Sequence, residues 1–383
     1  MPELDVFKTH TPRRGRIELF ARKRSAFEVC PKCATASHSV YDRRTVRVKD
    51  EPVRRRVTWL VITKRRFWCK SCKKPFTEPV KGIKTGCRTT ERYRRAVVWA
   101  CETFGSLKTV REHYRCSGGY LYKSLYPLLE QKRCQRATQW PRVVGIYEHY
   151  FRRHRRGFRE FVTMLVDFKG RKLIDVVEGR QRVQLEEALR EIEGRDNVRW
   201  VAMDLSNTYR RFATEFFPNA KIVADKFHVL RLLHPAINRH RKAITGDKRS
   251  LPVRRMLLKS SKRLEYSERL ALSNWLKAHS KLRELYLAKE ALHTLCRIRG
   301  QRRAADAFTR ITDQLAKSTL PELKTLRRTL MSWRTEILNY FQERITNGRT
   351  EGFNNKAKLV KKRAYGYRSF TNYRLALLAA CSP

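Results

Sequence analysis

Four cysteines are spaced for metal chemistry. Cys30-Pro-Lys-Cys33 and Cys69-Lys-Ser-Cys72 are two CxxC pairs with 35 residues between them, the pattern of a tetrahedral four-thiolate zinc site on two knuckles. Such a Zn²⁺ is structural and replaces the core that so small a module cannot build. Carboxylates suggest a second chemistry. Asp204 closes the apolar strand Val198 to Asp204, and Asp225 follows the strand Lys221 to Ala224, so both are expected at the carboxyl edge of a sheet, where α/β sites lie. Glu351 stands in the first turn of a later helix. Gathered together, these hard oxygen donors would hold Mg²⁺ or Mn²⁺, and two ions about 3.5–4 Å apart would activate water or a 3′-hydroxyl for in-line displacement at phosphorus. Taken singly, each acid is more often a cap or a surface charge than a ligand, and Glu351 suits a helix amino terminus by its charge alone.

The residues after Glu351 narrow the substrate. Phe353 to Arg368 carries Lys356, Lys358, Lys361, Lys362, Arg363 and Arg368 without one acid, interleaved with Phe353, Tyr365 and Tyr367. On a helix Glu351, Asn355, Lys358 and Lys362 share a face, so a metal-bound acid would be continued by amide and ammonium groups along a phosphate backbone. Composition agrees: 87 Lys+Arg against 36 Asp+Glu give a net charge of +51 over 383 residues. That excess self-repels unless a polyanion neutralises it, which favours a nucleic-acid partner over a small-molecule substrate. The hydrophobic fraction of 41% is that of a folded chain, not of a basic disordered tail.

The secondary structure around these groups falls into five segments of a multidomain α+β chain. Residues 1–86 read as a zinc-ribbon domain with strands Thr45 to Val48 and Val57 to Ile62 between the cysteine pairs. Residues 87–138 read as a helix-turn-helix: Arg92 to Phe104, then Leu107 to Tyr114 capped by Ser106, then a helix from Tyr120 to about Lys132. Tyr120, Tyr122, Lys123 and Ser124 at its start are the expected base-edge contacts. Residues 139–230 give three antiparallel strands (Val143 to Ile146, Phe161 to Asp167, Leu173 to Val177), then alternating helix and strand, the order of an RNase H-like mixed α/β domain. Residues 231–346 read as a long all-helical insertion, and 347–383 as the closing helices of the RNase H-like core. Cys87, Cys101, Cys116, Cys134, Cys296 and Cys381 lack ligand spacing and are read as packing residues. Met1 to Arg16 has no apolar signal core and no run reaches membrane-spanning length, so a cytoplasmic protein is expected, with no membrane partner.

At these residues the sequence resembles a known family. Asn347-Gly348-Arg349-Thr350-Glu351-Gly352-Phe353-Asn354-Asn355-Lys356 with Arg363-Ala364-Tyr365-Gly366-Tyr367, Asp225-Lys226-Phe227-His228-Val229, and Met203-Asp204 with Tyr209 are similar to motifs of the ISL-three family of bacterial insertion-sequence transposases. The resemblance runs over nearly the whole chain. It implies a DDE transposase on an RNase H-like fold, with Asp204 as the second acid and Glu351 as the third. It further implies binding to the inverted repeats at the element's ends and to target DNA, metal-dependent strand cleavage and transfer near the nucleoid, and self-association in the DNA complex.

One departure bears on catalysis. The family's first acid lies in a Gly-Ile-Asp-Glu motif, and this chain reads Gly145-Ile146-Tyr147-Glu148. A phenol with a pKa near 10 supplies no anionic ligand at neutral pH. Glu148 is the nearest replacement, but it points to the opposite face unless a bulge turns it. Asp225 is better placed. Asp167 is poorer: a turn centred near His154 sets Tyr147 opposite position 161, about 20 Å short of Asp167. Two functions therefore stand: a working transposase with a recruited acid, or a catalytically impaired DNA-binding relic acting as repressor or accessory protein. A basic RNA-binding protein has only composition behind it, since no aromatic RNA-binding sheet motif is present.

Overall fold

The computed structural model describes the chain except residues 135–138, 155, 248–250, 346–347 and 382–383, and the side chains of 132–134 and 348–351 also lie outside the described set. Two compact units form, one from Met1–Gln135 with Leu359–Ala376, the other from Arg136–Lys358 with Leu377–Pro383.

The first unit contains strands β1 (Leu4–His10), β2 (Arg16–Lys23), β3 (Glu28–Val29), β4 (Ala36–Ser37), β5 (Val40–Val53), β6 (Arg56–Cys69) and β7 (Lys74–Thr77). β5 and β6 make a long antiparallel hairpin, β2 lies parallel to β6, β1 extends the sheet, and β7 pairs with β6. Alternation decides which face is buried: Val46 and Val48 pair with Ile62 and Leu60, and Leu60, Ile62, Ala21, Leu4 and Val80 form the local core.

Zinc-binding groups converge at the base of this hairpin. β3 and β4 present Cys30 and Cys33 on a tight turn, in which Ala34 adopts φ 57°, and β6 ends at Cys69 before the Cys72 knuckle. The four Sγ atoms lie within 4.8 Å of one another, with Cys33–Cys69 at 3.5 Å and Cys30–Cys72 at 4.0 Å. A tetrahedral site with Zn–S bonds near 2.3 Å needs sulfurs about 3.8 Å apart, so the donors fit a zinc ion. A divalent ion would take all four as thiolates.

Three helices complete this unit, Glu91–Thr103, Leu107–Tyr114 and Gly118–Cys134. Thr90 and Ser106 cap the first two by accepting amide hydrogen bonds from Tyr93 and Thr109, and Arg115 ends the second in the left-handed region at φ 48°. Two hairpin residues fix the helices to the sheet. The Lys49 ammonium donates to the Tyr114 and Arg115 carbonyls at 2.8 and 2.6 Å, a cation at a helix carboxyl terminus. The fully buried Asp50 carboxylate accepts from Thr90 Oγ1 and Arg92 Nε, both at 2.7 Å. Burial opposes its charge, yet Arg92 and Thr90 prevail and hold its carboxyl below the ordinary range.

The second unit is built on a sheet ordered β10-β9-β8-β11-β12, with β8 (Val143–Arg153), β9 (Arg159–Asp167), β10 (Lys172–Glu178), β11 (Trp200–Met203) and β12 (Lys221–Ala224). The first three are antiparallel, and β8, β11 and β12 run parallel. β8 continues through the Arg-rich stretch read from sequence as a connection, because Tyr150 pairs with Phe161 and Arg152 with Glu160. A register shift lies between Tyr150 and Arg152, and the turn falls between Arg153 and Arg159. This corrects the expected register: Tyr147 faces Met164, not position 161, and Asp167 faces Val144, only about 10 Å along the strand from Met164. Helices Arg182–Leu189 and Asn207–Phe216 cover one face, the latter burying Tyr209, Phe212, Ala213 and Phe216 beside Phe217 and Trp140.

Residues beyond β12 are helical among the described residues, from Lys226–Arg231 through Arg334–Glu343. The last of these helices lies against β12, where the buried Asn339 amide donates to the Ile222 carbonyl at 2.9 Å. An otherwise open sheet edge is thereby closed. Arg210 reinforces the contact, reaching Glu336 at 3.3 Å and stacking over Trp333 at 4.2 Å.

Two measurements test these supports. Purified protein is expected to hold about one zinc atom per chain by elemental analysis; Cys33→Ser should empty the site and lower the unfolding midpoint by roughly 10 °C. In the second unit, a Cβ at Gly145 would lie 2.8 Å from the ring of the buried Phe168. Gly145→Ala should cost about 1–3 kcal/mol in urea unfolding, and Phe168→Leu should recover part of it.

Candidate active site

The parallel register brings the ends of β11 and β12 level with the middle of the longer β8. Ile146 pairs with Met203 and Met203 with Ala224, so positions 147, 204 and 225 are neighbours along the carboxyl edge. The Asp225 amide donates to the Met203 carbonyl at 2.8 Å, extending the ladder by one bond. Asp204 is part-exposed and Asp225 buried, its side chain only 3% accessible.

A third group joins them. Asp225 is the N-cap of the helix Lys226–Arg231, and three residues on, His228 turns back over the edge. Its Nδ1 lies 3.0 Å from Asp204 Oδ1 and 3.0 Å from Asp225 Oδ2. The two carboxylates, Asp204 first, raise the imidazole to about 9 against the effect of burial, so it is a cation at neutral pH. The donor atoms of Asp204, Asp225 and His228 all fall within 4.8 Å of one another. Adjacent ligands of a hard divalent ion are about 3 Å apart, so the same three side chains fit a metal. His228 carries no signal of its own in the sequence; the signal is the Asp-Lys-Phe-His spacing, which puts an acid and an imidazole one helical turn apart.

Tyr147, within β8, stands beside Asp204 and is 2% accessible. Glu148 points the other way, with no bulge to turn it: it pairs with Thr163, and the register shift lies further on. Its Oε2 accepts from Arg180 Nη1 at 3.2 Å. Tyr209 connects this side to Asp204. Its hydroxyl is 2.9 Å from Thr163 Oγ1, and its pKa is raised by burial and then by the neighbouring Glu148 and Asp204 carboxylates. Asp167 is engaged elsewhere, accepting the amides of Lys169 and Gly170 in the β9–β10 turn.

Glu351 belongs to the helix Gly348–Arg363, and its side chain lies outside the described residues. One turn further, Asn354 Oδ1 meets the ring Nδ1 of the buried His149 at 3.1 Å. His149 lies on the same face of β8 as Tyr147, so the helix that carries Glu351 is held to that face. Asn355, Lys356 and Lys358 point to solvent, as do Lys362 and Tyr365. Arg363 is half buried and donates to the Glu102 carbonyl at 2.6 Å. In the helix Gly118–Cys134, Tyr122 and Lys123 are exposed and Ser124 half-buried, whereas Tyr120 turns inward, its hydroxyl on Thr89 at 3.1 Å and its ring beside Tyr93.

Comparison with known proteins matches this organisation. A family profile described as transposase, of the DDE ISL-three type, covers residues 144–377, more than half of the chain. A second, described as the zinc-finger of transposase IS204/IS1001/IS1096/IS1165, covers residues 26–72 and includes the four cysteines. The transposase for insertion sequence element IS1001 of Bordetella parapertussis is 24% identical over 375 residues, 95% of this chain and 91% of that protein. A protein named ATP-dependent protease from Lactococcus lactis subsp. lactis is 40% identical over 60 residues, only 15% of this chain and 19% of its own length. No helix among the described residues is long and apolar enough to cross a membrane. With a zinc-ribbon cysteine cluster ahead of a mixed α/β transposase domain, the chain belongs to the ISL-three family of insertion-sequence transposases.

Proposed function

We propose that this transposase binds the terminal inverted repeats of its insertion sequence and catalyses metal-dependent cleavage and transfer of DNA strands on an RNase H-like domain. The observation that carries the reading is the level alignment of Asp204 and Asp225 on parallel strand ends, with His228 within 3.0 Å of both. Three antiparallel strands followed by two parallel ones match the RNase H-like order. Asp204 and Asp225 would hold Mg²⁺ or Mn²⁺ with Glu351, and His228 would add a nitrogen donor only once the ion displaced its Nδ1 proton. The bound ions would supply Lewis-acid activation of the attacking oxygen and charge stabilisation at the leaving oxygen. Asn355, Lys356, Lys358 and Lys362 would grip the phosphate backbone beside the acids, with Tyr365 offering a stacking surface. Tyr122, Lys123 and Ser124 of a helix-turn-helix would meet base edges, with Tyr120 supporting that helix from within and Arg363 anchoring its own.

A second reading rests on Tyr147. A buried phenol stands where the family carries its first acid, and Glu148, the nearest carboxylate in sequence, faces the other side and pairs with Arg180. If Asp225 does not make good the loss, the protein occupies the element's ends without cutting them and acts as a repressor or accessory subunit.

Strand cleavage of a duplex carrying the element's own end repeats, in Mg²⁺ and in Mn²⁺, decides between them. The working enzyme is expected to nick the end, and Asp204→Asn and Glu351→Gln to lower the rate at least about 100-fold with end binding retained. Binding without cleavage by wild type, with cleavage gained in Tyr147→Asp, would overturn the catalytic reading in favour of the second.

A further inference from the structure

The hairpin of β5 and β6 ends in an unusual turn. Val53 pairs with Arg56, which leaves a two-residue loop, Arg54-Arg55, with both residues in the left-handed region at φ 48° and 64°. Loops of this kind favour Asn-Gly, because a side chain with a Cβ is strained at positive φ. Here the strained positions carry two arginines and a third follows at Arg56, all three exposed. None of the three guanidinium groups makes an ion pair among the described residues. The acids on this stretch are Asp50, already paired with Arg92, and Glu51.

A second loop converges on the same sheet end. The connection between β1 and β2 runs beside the hairpin, where the Val57 amide donates to the Gly15 carbonyl at 2.9 Å and Arg16 pairs with Val57. That connection carries Arg13 and Arg14, both exposed and, among the described residues, without ion pairs. Five arginines therefore crowd one edge of a sheet in a protein with an uncompensated charge of +51. Like charges held together on strained backbone cost stability in the free protein, and such local cost is retained where a ligand offsets it.

We infer that this sheet end is a docking site for the phosphate backbone of duplex DNA, separate from the helix Gly118–Cys134 and from the acidic edge. The inference rests on the reading of the protein as a DNA binder and adds a contact surface to it. Geometry supports a shared duplex: Lys49 is bonded to the Tyr114 and Arg115 carbonyls just before that helix, and Arg54 lies five residues further along the chain, just past the end of β5. The strand rise over that stretch is about 17 Å, half of the roughly 34 Å of one duplex turn. DNA seated on the helix is thus within reach of the tip. The arginines meet phosphates, so the contact contributes affinity and orientation and no sequence preference.

The test is the double variant Arg54→Asn with Arg55→Gly, which supplies the turn the backbone prefers. Full-length protein would be titrated against a duplex carrying the element's end and against an unrelated duplex of equal length, over a range of KCl concentrations. The variant is expected to unfold a few degrees higher, so that weaker binding is not a folding defect. Its Kd should rise at least about fivefold on both duplexes, with the slope of log K against log salt reduced by about 0.9 for each phosphate that is no longer neutralised. Arg56→Gln, in regular strand, and Arg13→Ala with Arg14→Ala should weaken both duplexes in the same way. Wild-type binding with unchanged Kd and slope in all three variants would overturn the inference and leave DNA binding standing. Failure of wild type to bind either duplex would overturn both.

Discussion

The in-register pairing of β8, β11 and β12 is the constraint on which the acidic edge depends. Parallel ladders fix every strand end relative to its neighbours, so Met203 opposite both Ile146 and Ala224 puts residues 147, 204 and 225 side by side. Two carboxylates brought that close repel unless a cation lies between them. In the free protein the raised His228 imidazole fills that role, and at 3.0 Å from each acid it marks where positive charge is most favoured. A slip of one residue in β12 would point Asp225 to the opposite face and dissolve the cluster.

The helical region after β12 serves this alignment. A short strand at a sheet edge has little to hold it, and β12 is four residues long. Asn339 takes up its outward carbonyl and Arg210 bridges to Glu336 and Trp333, so this helical region covers the edge. The helix carrying Glu351 then follows, tied through Asn354 to His149 on the face of β8 where Tyr147 is buried. In the first unit the order of support differs. Zinc-type ligands replace an apolar core at the hairpin base, while Asp50 and Lys49 turn the same hairpin into the platform for three helices.

Local features were legible along the chain. Two CxxC pairs can converge only if the chain between them doubles back, so the zinc cluster was legible as a hairpin with two knuckles, and the structure brings the four sulfurs together. Caps at Thr90 and Ser106 and the glycines after Cys116 marked the three helices, because helix ends follow from residues within one turn. Asp204 and Asp225 were legible as strand-end acids since apolar runs of that length end where the acids begin. β1 and β2 were not legible: their mixed charges give no alternation strong enough to mark a strand. The left-handed Arg54-Arg55 turn was equally hidden, because arginine carries no turn signal.

Register and the facing of side chains were set by partners far apart along the chain. The turn between Arg153 and Arg159 falls further along the chain than expected, which moved the β8–β9 pairing, and the shift between Tyr150 and Arg152 takes back one residue of that offset; a bulge has no reliable signature in a single sequence. His228 entered the acidic cluster because a helix begins at Asp225 and turns it back over the sheet edge. Tyr120 turned inward because its hydroxyl found Thr89, although spacing alone put it on an exposed helix start. Local propensity depends on neighbours along the chain, whereas register and facing depend on partners tens or hundreds of residues away, as His149 and Asn354 do.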